Sequence, residues 1–313
     1  MSSPCVVVSG LAEPYRPLLE GAAPGVEIRI AEDREALAAL IGSADVVAGD
    51  VPESLFGRAG RLRWVHSWAA GPNRQLYPAM VESPVLLTCS KGNGAIPLAE
   101  HAIMLMLLLN RSGLRWIHAQ DEHRWDSFTH GELNGLTCGI IGLGYSGQDL
   151  ALKAKAFHMR TTGVRRHPQP TPNVDQVYAP EDLRGFLAEA DFVVVTAPLT
   201  PETRGMLGEA EFRSMKPTAY YICFSRGGLA DDAALEQALR EGWIAGAGLD
   251  AHSQEPLPED SPFWDLPNTI VTPHNGATTA GTRRRGVEIF LDNLRRFQAG
   301  EPLQNVVDKQ LGY

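Results

Sequence analysis

Residues 136–147, Leu-Thr-Cys-Gly-Ile-Ile-Gly-Leu-Gly-Tyr-Ser-Gly, constrain this chain more than any other segment. An apolar run of strand length passes through Gly142, Gly144 and Gly147 into an Ala/Lys-rich helical pattern that continues to Phe157. In a strand–turn–helix unit the three glycines have separate tasks. The first permits the tight turn, the second lets a pyrophosphate approach the backbone, and the third lets helix pack close to strand. The helix start, with Tyr145 and Ser146, offers unpaired N–H groups and a positive dipole end to phosphate. The segment predicts a dinucleotide-binding βαβ unit.

At 313 residues the chain exceeds the usual size of a single core, so two domains are expected. A net charge of −9 argues against a nucleic-acid partner, which needs a basic face. The four cysteines, Cys5, Cys89, Cys138 and Cys223, are scattered without a CxxC pair and read as small buried apolar residues. That usage suits a reducing compartment. The start, Met1-Ser-Ser-Pro-Cys-Val-Val-Val, lacks the pattern of a signal peptide, and the longest apolar run, Ala102 to Leu109, is too short to span a bilayer. A cytoplasmic protein without membrane association is expected. His118, Asp121, Glu122, His123 and His130 cluster in sequence, but a spacing of five does not stack His118 on His123 along a helix. No metal site is expected there.

Strand and helix signals alternate twice. The first series contains Cys5–Ser9, Val26–Ile30, Asp45–Ala48, Trp64–His66 and Val85–Thr88, with a helix over Glu35–Ile41. One long helix is then expected from Pro97 to about His118. The second series contains Thr137–Ile141, Arg160–Val164, Asp191–Thr196, Ala219–Cys223, Ala245–Leu249 and Thr269–Thr272, followed by a helix from about Thr278 to Gln298. Alternation of this kind implies parallel strands with crossover helices. The expected fold is α/β with two doubly wound parallel-sheet domains, a Rossmann cofactor domain inserted in a flavodoxin-like substrate domain. Residues 1–96 would form the substrate domain, with 283–313 returning to it, and 97–282 the dinucleotide-binding domain.

Three polar residues follow later strands of the second series: Arg226 in Ser-Arg-Gly-Gly, Glu255 in His-Ser-Gln-Glu-Pro, and His274 after Val-Thr-Pro. Ligands of doubly wound sheets lie beyond the carboxyl ends of the strands, so all three are placed to meet one ligand. A guanidinium suits two-point capture of a carboxylate. A histidine backed by a carboxylate is a general acid/base whose protonated form the anion stabilises.

Taken in order, the chain resembles the D-2-hydroxyacid dehydrogenases, and in particular glyoxylate/hydroxypyruvate reductases. The resemblance runs from about Trp64 onward. It rests on Asn93-Gly-Ala-Ile-Pro-Leu-Ala-Glu-His101, the glycine fingerprint, Thr196-Ala-Pro-Leu-Thr-Pro-Glu-Thr203, Ser225-Arg-Gly-Gly, Leu249-Asp-Ala-His-Ser-Gln-Glu-Pro-Leu257 and Pro262-Phe-Trp-Asp-Leu-Pro-Asn268 leading to Thr272-Pro-His274. It implies that Arg226 anchors and polarises a small 2-keto acid, that His274 exchanges the proton, and that Glu255 supports His274. It implies backbone donors to the substrate carboxylate at Ala70 and Gly71, with Trp68 beside them. It also implies cofactor positions at Ala197, Pro198, Thr203, Asp250 and Gly276. The family often has Asn three residues before its catalytic Arg, and here that cofactor-side position is Cys223.

A second departure concerns the cofactor. An NAD-type site carries a carboxylate near the end of the second strand to accept the ribose 2′-OH. Here that strand ends in Arg165-Arg166-His167-Pro168, without an acid. A guanidinium can hold a 2′-phosphate through forked, charge-assisted hydrogen bonds. NADP is therefore expected over NAD. Two other readings share the fold: a formate dehydrogenase-like enzyme, disfavoured by the Glu/His pair because hydride abstraction from formate needs no proton relay, and a cofactor-sensing corepressor, disfavoured by the intact Arg/Glu/His set. The apolar helix after Pro97, together with the resemblance, leads to the expectation of a homodimer.

Overall fold

The computed structural model describes residues 4–11, 13–19 and 25–312. Residues 1–3, on which part of the amino-terminal reading falls, lie outside the described residues. Two compact units form, one from the chain up to Gly94 together with the chain from Thr279, the other from Ala95–Thr278.

The first unit opens with β1 (Cys5–Ser9), β2 (Glu27–Ala31), α1 (Arg34–Leu40), β3 (Val46–Ala48), α2 (Glu53–Phe56), β4 (Trp64–Ser67), α3 (Pro78–Glu82) and β5 (Leu86–Cys89). Its sheet is parallel with order β2-β1-β3-β4-β5, the flavodoxin-like arrangement. Val6, Val7 and Val8 are all fully buried because helices cover both faces, which is why β1 reads as an unbroken apolar run. His66 of β4 sits within this core between Thr88 Oγ1 (2.8 Å) and Ser90 Oγ (3.1 Å). Burial pushes its imidazole down to about 3, so it is neutral.

The second unit comprises α4 (Ala95–Asn110), α5 (Gly113–Asp121), β6 (Thr137–Ile141), α6 (Tyr145–Ala156), β7 (Arg160–Val164), β8 (Gln176–Tyr178), α7 (Leu183–Glu189), β9 (Phe192–Val195), α8 (Glu209–Ser214), β10 (Tyr220–Cys223), α9 (Asp232–Arg240), β11 (Gly246–Leu249) and β12 (Thr269–Val271). The strand order β12-β11-β10-β9-β6-β7-β8 reverses direction at β6, the doubly wound pattern whose switch point lies between β6 and β9. Two apolar clusters flank the sheet. One gathers Phe186, Phe212 and Leu235 beside Val193, and the other gathers Leu105, Met106, Leu150 and Ala154 beside Ile140. The chain returns to the first unit as α10 (Ala280–Ala299), which lays Val287, Phe290 and Leu294 against Val6, Val8 and Trp64.

Two local expectations change. The single helix from Pro97 to about His118 is two helices, because Ser112 adopts a left-handed conformation (φ 49°) that interrupts the hydrogen-bond ladder. The turn-forming sequence Asn110-Arg-Ser-Gly113 carried that signal. The six-strand expectation for the second sheet omits β8, an edge strand of three residues that is too short and too polar to show a period. No helix among the described residues is long and apolar enough to cross a membrane.

Candidate active site

The fingerprint forms a tight passage from β6 into α6. Gly142 has φ 101°, and a Cβ there would lie 2.7 Å from the Ala197 amide nitrogen. A Cβ on Gly147 would lie 2.1 Å from the Gly142 carbonyl oxygen, so strand and helix meet at a distance only glycine allows. Gly144 differs: nothing lies within 4 Å of its would-be Cβ, and it stands at the N-cap of α6 without a side-chain cap. Tyr145 is exposed and Ser146 half-buried beside it. This open, amide-lined helix start fits a pyrophosphate.

Thr196 Oγ1 donates to the Gly142 carbonyl and so ties the end of β9 to the fingerprint turn. Beyond it Ala197 is buried and Pro198 exposed. Thr203 Oγ1 donates to the Pro198 carbonyl (2.7 Å) and accepts from the Thr200 amide (2.8 Å), folding residues 198–203 into a fixed loop. Across β6, the chain leaving β7 presents Arg165, half-buried with its guanidinium 3.4 Å from Thr171 Oγ1, and Arg166, exposed. Arg166 lies 3.7 Å from the Glu202 carboxylate of the β9 loop.

Arg226 stands in the loop after β10, half-buried, with a guanidinium nitrogen donating to the Ser225 carbonyl (2.6 Å). Cys223 is fully buried, and burial pushes its thiol up. Its Sγ donates to the Arg226 carbonyl (3.4 Å), so this side chain closes the loop that bears the arginine. Gly227 lets the backbone of His252 and Ser253 press directly onto that loop, since a Cβ there would lie 2.0 Å from the His252 carbonyl carbon.

The β11 and β12 loops are joined by an acid that sequence reading places on the cofactor side. Asp250 has no solvent exposure. It accepts from Thr272 Oγ1 (2.7 Å) and the Asn275 amide (3.1 Å) through one oxygen, and from the Gly276 amide (3.0 Å) through the other. Its carboxylate therefore shapes residues 272–276 from within. His274, in the middle of that loop, is held at φ 51°, a conformation uncommon outside glycine but tolerated by His. Its Nδ1 lies 2.7 Å from Glu255 Oε1. The same oxygen accepts the His252 amide (3.0 Å). Partial burial raises the Glu255 carboxyl, but the His252 amide and His274 outweigh it and hold the group below its usual value. An ionised Glu255 is an acceptor only, so Nδ1–H donates to it and Nε2 is left for a ligand. That geometry is able to exchange a proton with a ligand at Nε2.

Two residues that sequence reading passed over support it. His252 Nε2 contacts the Thr272 carbonyl (3.0 Å). His101 of α4 reaches Thr272 Oγ1 (3.1 Å) and stands 3.6 Å from Asp250. Both lie inside the conspicuous segments Asn93–His101 and Leu249–Leu257, which were the signal to follow.

In the first unit, the Ala69 carbonyl accepts from the Ser90 amide (3.0 Å) and the Ala70 carbonyl from Cys89 Sγ (3.3 Å). The N–H groups of Ala70 and Gly71 form no hydrogen bond with another described residue. Trp68 donates its indole N–H to the Ser9 carbonyl (2.8 Å) and packs edge-on against His66 and Phe290. Around α5, Asp126 is engaged by Arg115 and Arg124, and the His130 ring packs on Trp116.

The family model for the D-isomer specific 2-hydroxyacid dehydrogenase NAD binding domain matches residues 103–276. The glyoxylate reductase of Korarchaeum cryptofilum is 34% identical over 295 residues, spanning 91% of this chain and 86% of that protein. Among solved structures, a D-isomer specific 2-hydroxyacid dehydrogenase family protein from Aeromonas salmonicida superposes with a TM-score of 0.90 at 32% identity, covering 99% of this chain and 100% of that one. The NADPH-dependent glyoxylate/hydroxypyruvate reductase of Sinorhizobium meliloti, solved with NADP and sulfate, superposes with a TM-score of 0.86 at 32% identity over the same shares.

Proposed function

The chain belongs to the D-isomer specific 2-hydroxyacid dehydrogenases, and from that premise we propose that it is an NADPH-preferring reductase of small 2-keto acids such as glyoxylate and hydroxypyruvate. The observation that carries the reading is the 2.7 Å contact between His274 Nδ1 and Glu255, set in a loop wired to the fully buried Asp250.

In this reading a nicotinamide cofactor, when bound, would supply the hydride for the carbonyl carbon. His274 gives a proton from Nε2 to the carbonyl oxygen, and Glu255 stabilises the imidazolium that precedes transfer. Arg226 binds the keto acid and stabilises the negative charge developing on its oxygen. The Ala70 and Gly71 amides are proposed donors to the substrate carboxylate. Gly144, Tyr145, Ser146 and the start of α6 take the pyrophosphate. Arg165 and Arg166 take the 2′-phosphate. Ala197, Pro198 and Thr203 border the nucleotide, and Cys223, Asp250 and Gly276 hold the loops on its nicotinamide side.

The test is direct. NADPH absorbance is followed with glyoxylate, hydroxypyruvate, pyruvate and phenylpyruvate, and turnover with the first two is expected. Tight cofactor binding with no turnover of any 2-keto acid would make the chain a cofactor sensor instead.

Glu255→Gln is expected to keep the fold and shift the pH profile. With the anion gone the imidazolium is less stable, so reduction fails at a lower pH than in the wild type. The high-pH limb of kcat/KM should move downward by about one unit. An unmoved limb would remove Glu255 from the relay.

We also propose a symmetric homodimer built on α4, α5 and the segment after them. Ile96, Met104, Trp116 and Ile117 are exposed there, and Trp125 is 97% exposed. Such a concentration of large apolar surface marks an interaction face. Sedimentation velocity at micromolar concentration should give a dimer, and Trp125→Ser together with Ile117→Ser should shift it toward monomer.

A further inference from the structure

The two loops that leave the sheet on either side of β6 are connected by an ion pair that the reading above leaves without a purpose. Arg166, after β7, lies 3.7 Å from Glu202, after β9. The pair therefore bridges the carboxyl edge of the sheet over the strand that carries the glycine fingerprint. Glu202 is not loosely placed. Thr200 Oγ1 donates to its carboxylate at 2.7 Å, within a loop already closed by Thr203. That hydrogen bond is the main influence holding the Glu202 carboxyl below its usual value, so it is ionised at neutral pH. A fixed anion thus sits against one of the two guanidiniums assigned to the 2′-phosphate.

We propose that Glu202 sets the degree of cofactor discrimination by competing with the adenosine 2′-phosphate for Arg166. The inference rests on the NADPH reading of Arg165 and Arg166. An incoming 2′-phosphate must displace the carboxylate and also meets its repulsion, whereas a ribose 2′-OH meets neither. Glu202 accordingly weakens phosphorylated nucleotides and is silent toward the others. Both side chains are largely exposed, at 45% and 65%, which limits the size of the effect. An exposed pair of this kind changes an equilibrium by at most about fivefold.

Calorimetric titration of the full chain with 2′,5′-ADP and with 5′-AMP tests this without any turnover. Glu202→Gln, which can still accept from Thr200, should tighten 2′,5′-ADP by roughly three- to fivefold at low salt and leave 5′-AMP within about 1.5-fold. The gain should shrink at roughly 0.5 M salt, where exposed charges are screened. If Glu202→Gln leaves 2′,5′-ADP unchanged, or shifts both nucleotides equally, Glu202 does not compete and the inference falls. In that case Arg165→Ala/Arg166→Ala would still weaken 2′,5′-ADP, and the NADPH reading would stand. If the double substitution also leaves 2′,5′-ADP binding unchanged, or weakens both nucleotides by the same factor, both fall together.

Discussion

Replacing His274 with alanine should lower kcat for glyoxylate reduction by about a thousandfold, within the ~10²- to 10⁴-fold range of a general acid. NADPH binding should be unchanged. The side chain removed is the one whose Nδ1 is engaged by Glu255 and whose Nε2 faces no protein partner among the described residues. Arg226→Ala should cost a similar factor, about 10²- to 10³-fold, since it removes the cation assigned to the developing oxyanion. Arg226→Lys should recover little, because an ammonium is a point charge and cannot make the planar two-point contact. Steady-state kinetics with fluorescence titration of NADPH separates the two effects. Turnover near wild type in His274→Ala would take this residue out of acid–base chemistry.

Exchanging both Arg165 and Arg166 for alanine should raise the KM for NADPH by roughly 30- to 100-fold, the worth of two charge-assisted hydrogen bonds, one of them from the half-buried Arg165. The KM for NADH should move by less than about threefold, since a 2′-OH gains little from a guanidinium. Unlike the first prediction, this one leaves kcat largely alone, because the 2′-phosphate is remote from the reacting carbon. A wild-type enzyme that uses NADH as well as NADPH would refute it outright.

The parts of the site legible in the sequence were those written in local pattern. The fingerprint was one, because Gly142 and Gly147 occupy positions where the turn and the helix packing exclude a side chain, while Gly144 leaves the helix start open. The missing acid after β7 was another, because a strand end at a fixed distance from the fingerprint is a position that can be counted to. Arg226, Glu255 and His274 were singled out by their places after strands, and the structure brings Glu255 and His274 into contact. Asp250 was seen and its work was not: nothing in Leu-Asp-Ala-His announces that the carboxylate turns inward and carries Thr272, Asn275 and Gly276. His101 and His252 were passed over for the same reason, since each acts on a loop distant in sequence.

Apolar runs of strand length alternating with helical ones determined, from the sequence alone, a pair of parallel sheets and the glycine turn after β6. Local sterics suffice for that: period, turn chemistry and glycine placement act within a dozen residues. Strand order, the Glu255–His274 contact and the Arg166–Glu202 pair were decided only by the tertiary structure. Each depends on which residues become neighbours once β9, β10, β11 and β12 line up beside β6. A carboxylate 19 residues from His274 in the chain becomes its hydrogen-bond partner through that sheet, and no period in the sequence encodes the approach.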